Sequence, residues 1–130
     1  MSPADDLGLP PGQLRVLHVE DNALDAELVA QALRKGGFSI SVAVVQTEAE
    51  FARELHSNSP DVVLADYNLP QWKGMEALEV LYREALDIPL ILVSGALGDV
   101  TAVECIKRGA TDYVLKDGLA RLPEAASRLA

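Results

Sequence analysis

The sequence predicts an α/β protein in which helices cover both faces of a parallel sheet. Short apolar runs recur along the chain, turn residues bound each of them, and stretches with helical periodicity lie between them. Strict alternation of strands and helices implies right-handed crossovers and a parallel sheet. The expected strands lie at about 14–19, 38–45, 62–65, 90–93 and 113–115.

The first two helices have clear start and stop signals. The first, at about 23–35, places Leu24, Leu28 and Ala32 on one face and ends at Gly36-Gly37. Residues 47–50 have the spacing of a capping box and are expected to open the second helix.

Three further helices follow, with Asp99 as the expected cap of the fourth. Pro123 either bends the last helix or marks its first turn. Apolar residues at helical spacing mark them: Met75, Leu78 and Tyr82 on the inner stripe of the third, Val103 and Ile106 in the fourth, and Leu119, Leu122 and Leu129 in the last.

Polarity predicts where two strands lie in the sheet. The run at 39–44 alternates polar and apolar residues, so it is a candidate edge strand, whereas the run at 62–65 is uniformly apolar and is expected in the centre.

Length and composition indicate a single domain at 13–130, preceded by a flexible leader at 1–12 that lacks the features of a signal peptide. We therefore expect a cytoplasmic protein. The net charge of −9 argues against nucleic acid or an anionic membrane surface as a direct partner. The single cysteine, Cys105, cannot form an internal disulfide and is expected to be a buried or half-buried spectator.

Polar side chains follow four of the predicted strands. Glu20 and Asp21 come after the first strand, Asp66 after the third, Ser94 after the fourth and Lys116 after the fifth. Ligands of open parallel sheets bind outside the carboxyl ends of the strands. The sequence therefore predicts that three carboxylates, a hydroxyl and an ammonium meet at one edge.

These residue types suit a hard cation and phosphoryl chemistry. Three clustered carboxylates repel one another unless a cation lies between them, and oxygen ligands favour magnesium. Asp66 is the candidate nucleophile, with Lys116 and the Ser94 hydroxyl as partners of the phosphoryl oxygens. Taken singly, each carboxylate could be an ordinary loop or capping residue, Lys116 a surface lysine and Ser94 a loop hydroxyl.

Beyond this chemistry, the chain resembles the receiver domain of two-component response regulators from Leu14 to its C-terminus. The matching motifs are Val-Glu-Asp-Asn at 19–22, Asp-Val-Val-Leu-Ala-Asp-Tyr-Asn-Leu-Pro at 61–70, Gly74, Pro-Leu-Ile-Leu-Val-Ser-Gly at 89–95, and Gly-Ala-Thr-Asp-Tyr-Val-Leu-Lys at 109–116. Each motif is weak alone, but their order and spacing are highly specific.

The resemblance implies a phosphorelay role for the cluster. Asp66 is implied as the acceptor of a phosphoryl group from a phosphohistidine on a histidine kinase or histidine phosphotransfer protein. Asp21, Asp66 and the backbone carbonyl of Asn68 are implied as ligands of Mg²⁺ (or Mn²⁺), with Glu20 acting through a bound water. Lys116 is implied to pair with the phosphate.

The resemblance also implies a switch and a fold. Ser94 and Tyr113 form the implied switch pair, whereas the residues alone predict Tyr113 as half-buried core. The implied fold is a flavodoxin-like (βα)5 three-layer sandwich with strand order 2-1-3-4-5. The implied role is a signalling domain, not a conventional enzyme, that acts on a downstream protein or fused output domain as a monomer or phosphorylation-dependent homodimer.

Two positions bear on how closely the chain follows the family. Asp117 follows Lys116 where the family usually has proline, and Asn68 is one of several residue types that the family allows at its position.

Three other functions are weighed against this one. A phosphatase of the haloacid-dehalogenase type would need an acid where Asn68 stands, and a flavin-binding module would need a phosphate loop where Glu20 and Asp21 would repel phosphate. A degenerate scaffold would lack site residues that are present here.

Overall fold

The computed structural model describes residues 13–67, 69, 72–95 and 99–128. Five parallel strands form one sheet in the order β2-β1-β3-β4-β5, which confirms the predicted flavodoxin-like fold. A 3₁₀ helix, Lys116–Arg121, joins the last strand to the last helix. The strands are β1 Gln13–Val19, β2 Ser39–Val45, β3 Val62–Asp66, β4 Leu90–Ser94 and β5 Asp112–Leu115; the helices are α1 Ala23–Lys35, α2 Glu48–Ser57, α3 Gly74–Arg83, α4 Asp99–Lys107 and α5 Leu122–Ser127.

The sheet separates two hydrophobic cores because successive side chains of a strand point to opposite faces. In β3, Val63 and Ala65 contribute to the core under α2, α3 and α4, whereas Val62 and Leu64 contribute to the core under α1 and α5. The domain is therefore a three-layer sandwich. Every residue of β3 is buried and β2 is partly exposed along its length, so the predicted centre and edge are confirmed.

Local signals place the first two helices as expected. The Thr47 hydroxyl accepts a hydrogen bond from the Glu50 amide, and the Glu50 carboxylate accepts one from the Thr47 amide, so the capping box is complete. Helix α1 starts after Asn22 and ends at Gly36, and Gly37 adopts a left-handed φ of 100°.

The apolar residues that mark α1 and α4 in the sequence are not the ones that these helices bury. Leu24 and Leu28 are 67% and 44% exposed, while Ala26, Val29, Ala30 and Leu33 are the buried residues of α1. In α4, Ala102 and Cys105 are buried but Val103 and Ile106 are exposed.

In α3, Tyr82 is 62% exposed, so its predicted inward position is wrong. Its hydroxyl donates a hydrogen bond to the carbonyl oxygen of Arg108, at 3.1 Å, and the polar end of the ring therefore stays at the surface.

At the C-terminus, Pro123 lies in the first turn of α5, one of the two expected alternatives. Asp99 is the first residue of α4, one position later in the helix than expected for a cap. The expected leader at 1–12 and Leu129 lie outside the described residues. Over the described part of the chain, the helices are all too short or too polar to cross a bilayer.

Candidate functional site

The carboxyl ends of four neighbouring strands bring the predicted residues to one edge. Asp66 and Ser94 are the last residues of β3 and β4, while Glu20 and Lys116 directly follow β1 and β5. The register pairs Val19 with Ala65, Asp66 with Val93, and Ser94 with Leu115. The parallel pairing therefore places these four side chains side by side.

Three carboxylates form a compact acidic group at this edge. One oxygen each from Glu20, Asp21 and Asp66 lies within 4.8 Å of the others. Glu20 and Asp66 are buried and Asp21 is exposed. All the candidate ligand atoms are carboxylate oxygens, which is the donor set that a hard divalent cation such as Mg²⁺ prefers.

Glu20 is held by the start of the next helix. Its Oε2 accepts hydrogen bonds from the amides of Asp21, at 3.0 Å, and Asn22, at 3.2 Å. Its Oε1 lies 2.9 Å from Lys116 Nζ. Burial raises the pKa of the Glu20 carboxyl above its usual value, against the opposing effects of Lys116 and the Asn22 amide.

Lys116 contacts three carboxylates at once. Its Nζ lies 2.7 Å from Asp25 Oδ2, 2.9 Å from Asp66 Oδ2 and 2.9 Å from Glu20 Oε1. Burial alone would lower the pKa of Lys116, but the hydrogen bonds to these three groups outweigh it and raise the pKa above its usual value. The lysine is therefore a permanent positive charge beside Asp66.

Asp25 was missed in the sequence-based prediction. The signal was present: Asn22 is a favourable N-cap, so a residue three positions later lies in the first turn of α1. That turn begins at the same edge of the sheet as the acidic group. Which strand end Asp25 would reach depends on how α1 lies against the sheet.

Ser94 is buried at the end of β4. It is 1% exposed, and its hydroxyl oxygen has no hydrogen-bond partner among the described residues. Buried polar atoms are rarely left in this state, so a ligand at this edge is one partner that the hydroxyl could take.

Tyr113 is half-buried in β5, with the Arg121 guanidinium carbon 6.0 Å from its ring centroid. Arg121 also pairs with Asp112 at 3.1 Å. The ring thus lies between the core under α4 and the charged start of α5.

Two of the remaining predictions concern loops around Asp66. The predicted backbone ligand, Asn68, lies outside the described residues. Gly74 begins α3 directly against the end of β3, where a Cβ would collide with the backbone oxygen of Asp66. The glycine of the family motif is therefore required by a close backbone approach.

Lys116 leads into the 3₁₀ helix, which contains Asp117 at the position where the family usually has proline. The chain thus passes from β5 into this 3₁₀ helix without a proline after the lysine.

His18, treated as an ordinary core residue from the sequence, is 1% exposed within β1. Burial, with a smaller contribution from the charge of Lys116, lowers the pKa of His18 to about 4. It is therefore neutral near pH 7 and is not one of the described groups that could hold a metal.

Comparison with known proteins identifies the family. Residues 16–127 match the family model of the response regulator receiver domain. The phosphate regulon transcriptional regulatory protein PhoB of Klebsiella pneumoniae is 33% identical over 104 residues, which cover 78% of this chain and 44% of that protein. The protein-glutamate methylesterase/protein-glutamine glutaminase of Treponema pallidum is 32% identical over 106 residues, covering 79% of this chain and 26% of that protein. The chain spans less than half the length of these curated relatives.

Solved structures agree with the same fold. The BeF3-activated N-terminal receiver domain of Klebsiella pneumoniae RstA has 28% identity and a TM-score of 0.71, covering 86% of this chain and 97% of that one. The receiver domain of the Francisella response regulator 1452 has a TM-score of 0.77 at 23% identity, covering 89% and 95%, and this likeness concerns the fold alone. Because the family model extends over most of the chain, the protein belongs to the response regulator receiver domain family.

Proposed function

We propose that this receiver domain accepts a phosphoryl group on Asp66 in a step that depends on Mg²⁺ or Mn²⁺. One observation carries the proposal: the Asp66 carboxylate ends a buried central strand between an acidic group and the ammonium of Lys116. A carboxylate in that setting can act as a nucleophile. The ammonium and a bound cation would neutralise the negative charge of the incoming phosphoryl group.

The donor is a phosphohistidine on a histidine kinase or histidine phosphotransfer protein. A carboxylate oxygen of Asp66 attacks phosphorus, a P–O bond forms and the P–N bond breaks. The electron pair of the broken bond returns to the imidazole, and the product is an acyl phosphate on Asp66. Lys116 stabilises the negative charge on the phosphoryl oxygens as the transfer proceeds.

The cation would be held by Asp21, Asp66 and the backbone carbonyl of Asn68, with Glu20 acting through a bound water. When bound, such an ion neutralises charge on the transferred phosphoryl oxygens. The chain's own contribution is to hold Glu20 in place through the amides of Asp21 and Asn22, so that its carboxylate faces the site.

We further propose that Ser94 and Tyr113 report the phosphorylation. The Ser94 hydroxyl, which has no hydrogen-bond partner among the described residues, moves to donate a hydrogen bond to the phosphoryl group, and the Tyr113 ring turns inward behind it. One charge-assisted hydrogen bond gained only in the active arrangement contributes about 1.5–3 kcal/mol. Because about 5.5 kcal/mol is needed to move two states from 1:99 to 99:1, a partner that binds the active state completes the shift.

The domain acts as a signalling protein in the cytoplasm and not as a conventional enzyme. Its target is a downstream protein or an output domain fused to the receiver, and it acts as a monomer or as a phosphorylation-dependent homodimer. Its curated relatives extend well beyond the matched region, which supports a fused output domain as one of these forms.

The test is phosphoryl uptake from a small phosphodonor or a phosphorylated kinase, detected by mass spectrometry of the intact protein. Asp66→Asn is expected to abolish uptake completely and to remain folded. Asp61→Asn is the matched control, because Asp61 precedes β3 at the opposite end of the same strand. Uptake that persists in Asp66→Asn would exclude Asp66 as the acceptor.

A further inference from the structure

The shortest of the three contacts made by Lys116 is to a residue outside the acidic group. Asp25 Oδ2 lies 2.7 Å from Lys116 Nζ, although the two residues are 91 positions apart. The side chain of Asp25 is 31% exposed and that of Lys116 is 22% exposed, so water reaches part of the contact. The pair connects the start of α1 to the end of β5 across the site.

The backbone of Asp25 is fixed by hydrogen bonds of the helix start. The Asn22 side chain accepts a hydrogen bond from the Asp25 amide, at 3.0 Å, and the Asn22 carbonyl accepts one from Ala26. Asp25 also lies in the first turn of a 13-residue helix, where the helix dipole favours a negative charge. The carboxylate is therefore anchored to a secondary-structure element and not to a loop.

Asp25 differs from the other two partners of Lys116 in what phosphorylation does to them. Glu20 and Asp66 belong to the group of carboxylates close enough to share a metal ion, and Asp66 is the proposed acceptor. Asp25 is not a member of that group. A cation and a phosphoryl group bound at that acidic group would take new contacts with Glu20 and Asp66, whereas Asp25 lies outside the group.

We propose that Asp25 is a positioning residue that holds the Lys116 ammonium beside Asp66 before and after phosphorylation, an inference that rests on the proposed function. An ammonium has three N–H donors, and here three carboxylate oxygens lie within 2.9 Å of it, of which those of Asp25 and Asp66 accept hydrogen bonds. Two donors turn to the phosphoryl oxygens when Glu20 and Asp66 change partners. Asp25 keeps the third, so that Lys116 meets the phosphoryl group without first being ordered.

The test uses beryllofluoride with Mg²⁺ as the phosphoryl analogue, with affinities measured by calorimetry. Asp25→Ala is expected to weaken binding about three- to fivefold, the range of a partly exposed ion pair. Glu27→Ala is the matched control, since Glu27 lies on the same helix, is exposed and pairs with Arg34 at 3.8 Å. It removes the same charge away from Lys116 and is expected to leave the affinity unchanged.

A double-mutant cycle separates positioning from charge. In a Lys116→Ala background, Asp25→Ala is expected to change the affinity less than about 1.5-fold, because the two residues act as one unit. An equal loss in both backgrounds, or tighter binding by Asp25→Ala alone, would overturn the inference. Tighter binding would mean that Asp25 acts only by repelling the anion.

A second measurement covers the case in which Lys116→Ala binds too weakly to titrate. The ¹H–¹³C signal of the Lys116 CεH₂ group, assigned with that variant, is expected to shift in Asp25→Ala and to stay in place in Glu27→Ala. If the unmodified protein does not bind beryllofluoride, the proposed function fails. If it binds and Asp25→Ala binds equally well, the proposed function stands and this inference fails.

Discussion

The two ends of the sheet use polar residues in opposite ways. The buried polar residues of the described chain are His18, Glu20, Asp66 and Ser94, and all four lie at or beside the carboxyl ends of strands. Like charges are crowded there, and the His18 Nε2 and Ser94 Oγ atoms have no hydrogen-bond partner among the described residues. Such an arrangement costs stability.

At the amino ends of the strands, three polar residues that are exposed or half-buried have hydrogen-bond or ion-pair partners. Asp61 accepts a hydrogen bond from the Arg15 amide at 2.7 Å, and the Thr111 hydroxyl accepts one from the Leu90 amide at 3.3 Å. Asp112 accepts one from the Tyr113 amide and pairs with Arg121 and Arg128. The polar contacts at the amino end therefore stabilise the fold, whereas the crowded charges at the carboxyl end suit ligand binding.

The largest effect is expected where the backbone itself approaches the site. Gly74→Ala places a Cβ against the Asp66 carbonyl, which must move, so we expect a loss of about 3 kcal/mol of unfolding free energy. Urea denaturation measures this. Gly118→Ala is the control, because a Cβ there meets nothing within 4 Å; its effect is expected to stay within about 0.5 kcal/mol. Equal losses of unfolding free energy in the two variants would contradict the close approach of Gly74 to the Asp66 carbonyl.

The next largest effect is the stabilisation of the folded protein by Mg²⁺. For a dissociation constant of about 1 mM, 10 mM MgCl₂ is expected to stabilise the protein by about 1.4 kcal/mol. Asp21→Asn removes the exposed member of the acidic group and should lose most of this increment. Asp61→Asn removes the same charge at the opposite end of β3 and should keep it. Urea midpoints with and without MgCl₂ decide the matter, and an increment retained in Asp21→Asn would contradict the carboxyl-end site.

The smallest effect belongs to the amino end and depends on pH. Burial would raise the pKa of Asp112, but its hydrogen bonds to Arg121 and the Tyr113 amide lower the pKa below the usual 3.8. The folded state therefore favours the charged carboxylate, and the stabilisation is present above pH 3.8 and is lost as the pH falls below it.

We accordingly expect Asp112→Asn to destabilise the protein by about 1 kcal/mol at pH 7. The difference from the unmodified protein should shrink toward zero as the pH falls below about 3.8, which urea titrations across that range can follow. A difference that is independent of pH would mean that the Asp112 contacts do not depend on its charge.

Several features of the site could be predicted because they depend on chain order. A strand that ends in Asp66 places that residue at the carboxyl edge wherever the strand lies in a parallel sheet. The same holds for Glu20, Ser94 and Lys116. The capping box at Thr47 and the end of α1 at Gly36 are likewise local, since each depends on residues within one turn.

The unexpected features depend on contacts between distant segments. Leu24 and Leu28 face outward while the opposite face of α1, with Val29 and Leu33, packs into the core, and the exposed Tyr82 donates its hydroxyl hydrogen bond to the Arg108 carbonyl. Neither contact is visible in local periodicity, which reports a face of the helix but not the surface it meets.

The sequence by itself determined the succession of strands and helices along the chain, the apolar centre of the sheet and the identity of the residues at its carboxyl edge. These features follow from periodicity and chain direction. Only the tertiary structure decided that Lys116 contacts three carboxylates and that one of them is Asp25. The physical reason is that an ion pair between α1 and β5 depends on how a helix is oriented on the sheet, and that orientation is set by packing across the whole core.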